Sequence, residues 1–119
     1  MVQYSASALD LSFAALADPT RRGVIEMLGQ SEATIGDLSQ RFGMTLTGIK
    51  KHVGVLEQAG FVVTEKVGRV RLCRLGLKRL EAEAAWIETY RQNWEARFAV
   101  LDQVVGNLMK EEQGNGAAG

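Results

Sequence analysis

Three adjacent side chains, Lys50, Lys51 and His52, sit inside the stretch "TLTGIKKHVGVLEQAGF" with Thr45 and Thr47 just ahead of them. Two ammonium groups, an imidazole and two hydroxyls on one short segment can bind an anion such as a phosphate, and they can equally be a solvated face. A second cationic set follows in "EKVGRVRLCR", where Arg69 sits in a turn and Arg71 just after it. The elements that carry these side chains decide between the two readings.

Net charge is zero over 119 residues, but the charges are segregated. Residues 41–79 hold nine basic and two acidic side chains, a balance of +7, and the remainder holds five and twelve, a balance of −7. A local basic patch attracts a polyanion while acidic surfaces elsewhere orient its approach. The length fits one compact domain. No apolar run approaches the roughly 20 residues of a membrane span, and the first residues lack the pattern of a secretory signal. A single cysteine, Cys73, gives no disulfide framework and suits a reducing compartment. A cytoplasmic protein is expected.

Periodicity sets the elements. Leu9, Phe13 and Leu16 recur at helical spacing over about 8–17. Asp18 is a good N-cap, and Pro19 fits the first helical position, where no N–H is needed; Gly29 is expected to end that helix. Thr34 and Asp37 form a capping pattern ahead of Ile35, Leu38 and Phe42, and Gly43 stops the third helix. Thr45 caps the next helix, 45–59. With Ile49 at zero and 100° per residue, Val53 and Leu56 fall within about 40° of it, and Thr47, Lys50, Lys51, Gly54 and Gln58 lie on the outer side. After Gly60 the period becomes two, and residues 62–75 read as a two-stranded hairpin with Gly68 and Arg69 at its tip. From about 77 onward, Ile87, Tyr90, Trp94, Phe98, Leu101 and Val105 mark one stripe of a long helix.

A short helix, a glycine turn and a second helix with a polar outer face make a helix-turn-helix plan, and the basic hairpin behind it makes a wing. The second helix has the width of a DNA major groove, and a wing can follow the backbone or enter the minor groove. The fold class expected is mainly α with a small β-hairpin. It is a winged helix-turn-helix over residues 8–76, a long C-terminal helix over 77–110 and a disordered tail over 111–119. Thr45, Thr47, Lys50, Lys51, His52, Arg69 and Arg71 are the expected DNA contacts. The alternatives stay open residue by residue: Thr45 is at least a cap, His52 can be a packed histidine, and Arg71 can pair with an acid. Arg21 and Arg22 read as packing or ion-pairing residues, and Cys73 as a half-buried strand cysteine.

The segments "FAALADPTRRGVIEMLG", "IGDLSQRFGMTLTGIKKHVGVLEQAGFV" and "GRVRLCRL" resemble the ArsR-type winged-helix regulators of bacteria. That resemblance implies a homodimeric repressor on a palindromic double-stranded operator, associated with the nucleoid when bound. Its dimer is joined by the first and last helices, here Leu9, Phe13, Ile87, Tyr90, Trp94, Phe98, Leu101 and Val105. Lys51 and His52 match the family's recognition segment, and Thr45 keeps a hydroxyl. Leu46 stands where glutamine is frequent, and Lys50 replaces a small hydroxyl residue. The metal-sensing motifs are missing: no cysteine pair lies in the third helix and no histidine in the last. A metal-independent branch without cofactor is expected, with a small hydrophobic effector between the last helices as the lesser reading of the aromatic stripe. The competing function is a winged helix used for protein contact without DNA. No paired carboxylates, phosphate loop or Ser/His/Asp set points to an enzyme.

Overall fold

The computed structural model describes residues 7–118 and forms two compact units, one ending at Leu80 and the other beginning at Glu81. The chain forms a winged helix-turn-helix followed by a long C-terminal helix. In the first unit the elements run α1 (Ala8–Leu16), α2 (Pro19–Gln30), β1 (Ala33–Thr34), α3 (Ile35–Phe42), α4 (Leu46–Gln58), β2 (Val62–Val67) and β3 (Val70–Leu75).

Helices α2, α3 and α4 start on the caps their sequence marks, Asp18, Thr34 and Thr45. Ser7 and Asp10 close a capping box on α1, Asp18 Oδ2 accepts from the Arg21 N–H on α2, and Thr34 and Asp37 close a second capping box on α3. Reciprocal bonds of this kind satisfy donors that a helix start leaves orphaned. Gly43 adopts φ 62° and ends α3, because a left-handed residue there costs glycine nothing. Ser39 then clamps the turn: its carbonyl accepts from the Met44 N–H at 3.1 Å, and its hydroxyl donates to the Met44 carbonyl. Thr45 caps α4 by accepting from the Gly48 N–H at 3.1 Å.

The core gathers Val24 and Leu28 of α2, Leu38 of α3, Ile49, Val53 and Leu56 of α4, and Phe61, Val62 and Cys73 of the sheet region. Burying one such aliphatic side chain stabilises the fold by roughly 1.5–3 kcal/mol. The buried stripe of α4 is the one its periodicity specifies. Its polar side therefore faces away from the core.

Four boundaries differ from expectation. The sheet has three strands in the order β1-β3-β2, not two, because the extended residues leading into the Thr34 cap pair with the free edge of β3, Ala33 against Cys73 and Thr34 against Leu72. Gly29 lies inside α2, and Ser31 closes that helix with its N–H on the Met27 carbonyl. The long helix, α5, begins at Glu81 rather than near 77: Leu80 holds φ 60°, outside the helical region. Helical backbone then continues to Ala118, through most of the segment expected to be a disordered tail.

In α1 the buried residues are Ser12 and Ala15, whereas Leu9 and Phe13 are only half-buried. The second unit, α5, leaves Ile87, Tyr90, Trp94, Phe98, Leu101 and Val105 exposed. Trp86 stacks on Tyr90 at 5.8 Å between ring centres, and Trp94 meets Phe98 edge-on at 6.0 Å. Among the described residues no helix is long and apolar enough to cross a membrane.

Candidate nucleic-acid interface

The outer side of α4 carries Leu46, Thr47, Lys50 and Lys51, all exposed. Leu46, the first helical residue, is 51% exposed, too much for a core leucine. Thr45, also exposed, spends a lone pair on the cap and keeps its hydroxyl proton to donate. Neither Lys50 nor Lys51 has an acidic partner among the described residues.

The wing continues this surface. β2 and β3 pair antiparallel with Thr64 opposite Cys73 and Lys66 opposite Arg71. Paired residues share a face, so Lys66 and Arg71 extend the face that holds buried Val62 and Cys73. That face turns toward α4 and forms a groove of about 430 Å³ lined by Thr34, Gly36, Leu46, Lys50, Lys66 and Arg71, with Arg69 at its outer end. Four cationic side chains and no carboxylate line the groove. Lys66 was not among the expected contacts; strand alternation counted from Arg71 across the Gly68–Arg69 turn locates it.

Arg71 is not paired directly with an acid. Its Nη1 donates to Thr64 Oγ1 at 2.8 Å, and the Thr64 hydroxyl donates to Glu57 Oε2 at 2.7 Å. The relay joins the end of α4 to the wing and holds the guanidinium over the groove. Arg74 lies on the other face of the wing, where it bonds Glu65 at 3.1 Å. This exposed pair contributes little to stability. At the wing's base, Lys78 Nζ donates to the Ala59 carbonyl at 2.9 Å and sits 5.2 Å from the centre of the Phe61 ring.

His52 is placed differently from its lysine neighbours. Its side chain is 20% exposed, and Nδ1 lies 3.2 Å from Arg21 Nη1 and 3.9 Å from Asp18 Oδ2. The Asp18 carboxyl is held below its ordinary value, first by the Arg21 backbone N–H. Cys73 is fully buried, and burial pushes its thiol up, as does the Glu57 carboxylate. A thiol in that setting is an inert packing group. Among the described residues no group of three or more His, Cys, Asp or Glu side chains is placed to hold a metal.

A cap-defined helix-turn-helix, a polar outer face on α4 and a cationic wing define the class: a winged helix-turn-helix DNA-binding protein. Comparison with known proteins makes this specific. A family model described as a helix-turn-helix domain matches residues 16–65. The transcriptional repressor SdpR of Bacillus subtilis (strain 168) is 28% identical over 75 residues, spanning 63% of this chain and 83% of that protein. The crystal structure of an ArsR family transcriptional regulator is 40% identical, with a TM-score of 0.68 over 80% of this chain and 97% of the other. The solution structure of a homodimeric winged helix-turn-helix DNA-binding domain from Mycobacterium bovis shares the fold, at 19% identity and a TM-score of 0.58 over 77% of this chain and 91% of the other. The chain belongs to the ArsR family of helix-turn-helix transcriptional regulators, a family of DNA-binding proteins rather than enzymes.

Proposed function

We propose that this protein is a cytoplasmic homodimeric repressor that occupies a palindromic operator. The observation that carries this reading is the cationic groove lined by Lys50 of α4 and by Lys66, Arg69 and Arg71 of the wing, with Lys51 exposed next to Lys50 on α4. Helix α4 enters the major groove with Leu46 and Thr47 nearest the base edges. Leu46 offers apolar contact to a thymine methyl where an amide would read adenine. Lys50, Lys51 and His52 bind phosphates, Thr45 donates its hydroxyl, and Arg69 and Arg71 reach the backbone beside the wing.

The apolar stripe of α5 supports the dimer. A soluble chain rarely exposes Trp94, Phe98, Leu101 and Val105 along one face without a partner for them. The half-buried Leu9 and Phe13 of α1 offer a partner chain a second apolar patch. The Mycobacterium bovis domain is homodimeric, and SdpR is a transcriptional repressor. Two α4 helices about one helical turn apart, ~34 Å, would bind two half-sites and occlude polymerase.

Footprinting on the DNA upstream of the protein's own coding sequence tests this. Two symmetric protected half-sites about one turn apart are expected. A purified chain that stays monomeric and protects no site would favour the competing protein-contact role.

A further inference from the structure

We infer that Arg21 is a positioning residue for the DNA-binding surface: it fixes the tautomer of His52, so that the imidazole presents Nε2–H to a phosphate. The inference rests on the proposed seating of α4 against DNA. A guanidinium has five donors, no acceptor, and stays protonated in proteins. Arg21 Nη1 at 3.2 Å from His52 Nδ1 therefore requires that Nδ1 accept. The proton of the neutral ring must then reside on Nε2, whose N–H vector diverges widely from that of Nδ1. One nitrogen anchors the ring and the other is left as a donor.

The anchor is itself rigid. Arg21 Nε donates to the Ala15 carbonyl at 2.9 Å and Nη2 to the Ala14 carbonyl at 2.8 Å. These carbonyls lie in the last turn of α1, where a cation is favoured, and the Ala14 carbonyl also accepts from the Ala17 N–H at 3.3 Å. The Arg21 backbone N–H is bound by Asp18. The groups facing His52 Nδ1 are thus Arg21 and Asp18, with opposite demands. The carboxylate, at 3.9 Å, is too distant for a hydrogen bond but would draw a proton to Nδ1 if Arg21 were gone. Arg21 in this way ties the end of α1 to the middle of α4.

The chain has one histidine, so its two-bond nitrogen–proton spectrum shows a single imidazole. Recorded on the labelled protein at mildly alkaline pH, it should show the Nε2–H tautomer of the neutral ring. In folded Arg21→Ala it should move toward Nδ1–H. That variant also loses two bonds to α1, so a second pair carries the test independently. His52→Gln places an amide donor near the Nε2 position, and His52→Asn keeps only a group near Nδ1. On a mixed-sequence duplex at low salt, His52→Gln should stay within about twofold of the parent and His52→Asn should bind roughly fivefold more weakly, the size of one hydrogen bond. An Nδ1–H tautomer in the parent protein, or equal affinities of the Asn and Gln variants, overturns the inference. The tautomer is read without DNA, whereas failure of the DNA-binding role would appear as a parent protein with no affinity for any duplex.

Discussion

Thr64 Oγ1 donates to Glu57 at 2.7 Å while accepting from Arg71 at 2.8 Å, so one hydroxyl sets the wing against α4. Thr64→Val keeps the shape and removes both bonds. All three groups reach solvent, so the stability cost should lie near 0.5–1 kcal/mol. DNA affinity should fall several-fold because Arg71 loses its tether, while the slope of log affinity against log salt stays constant, since no charge is removed. Urea unfolding and anisotropy titrations read the two effects, and an unchanged affinity would mean that the relay does not position Arg71 for DNA.

Two glycines should respond in opposite directions. A Cβ on Gly76 would lie 2.5 Å from the Gly60 carbonyl oxygen, which is backbone and cannot swing aside. Gly76→Ala should cost about 1–3 kcal/mol by overpacking. A Cβ on Gly54, inside α4, meets nothing within 4 Å, and Gly54→Ala should stabilise by roughly 0.5–1 kcal/mol by reducing the entropy of the unfolded chain. Urea midpoints moving the same way in both variants would contradict this packing.

Acid should loosen the helix-turn-helix through its caps. The Thr34 backbone N–H, and then its hydroxyl, hold the Asp37 carboxyl below the ordinary carboxylate value. A depressed folded-state pKa adds stability that is present above the unfolded value, about 3.9, and is lost as pH falls through the folded value. The urea midpoint of the parent protein should therefore fall below about pH 4 more steeply than that of Asp37→Asn. Parallel curves would show that the cap carries no proton-linked stability.

Much of the fold was legible in the sequence because its signals are local. Asp18–Pro19, Thr34 with Asp37, and Thr45 state helix starts in their own side chains, and Ile49, Val53 and Leu56 state the buried side of α4. β1 was not legible, since Ala33 and Thr34 become a strand only by meeting β3, about forty residues away. Lys66 required the strand register, and Arg21 required the return of α2 past α4. The start of α5 depended on the Leu80 backbone, which side-chain periodicity does not encode.

The α5 stripe gives a separate prediction. Trp94 is 55% exposed within one chain, so Trp94→Glu should leave the fold intact. Across a dimer seam it should raise the dissociation constant at least about thirtyfold, the effect of losing an interfacial hot spot of ~2 kcal/mol. Sedimentation velocity should show dimer giving way to monomer. An unchanged dimer would place the seam elsewhere.

The most direct test of DNA binding by α4 is the salt dependence of duplex affinity, measured by fluorescence anisotropy for the parent protein and for Lys50→Ala/Lys51→Ala. With α4 seated on DNA, the double variant should bind every duplex more weakly. Its log–log slope should be shallower by about 3.6, roughly 0.9 for each of the four phosphates that the two α4 helices of a dimer no longer neutralise. A slope and affinity equal to the parent's would mean that the two lysines are a solvated face and that α4 does not lie on DNA.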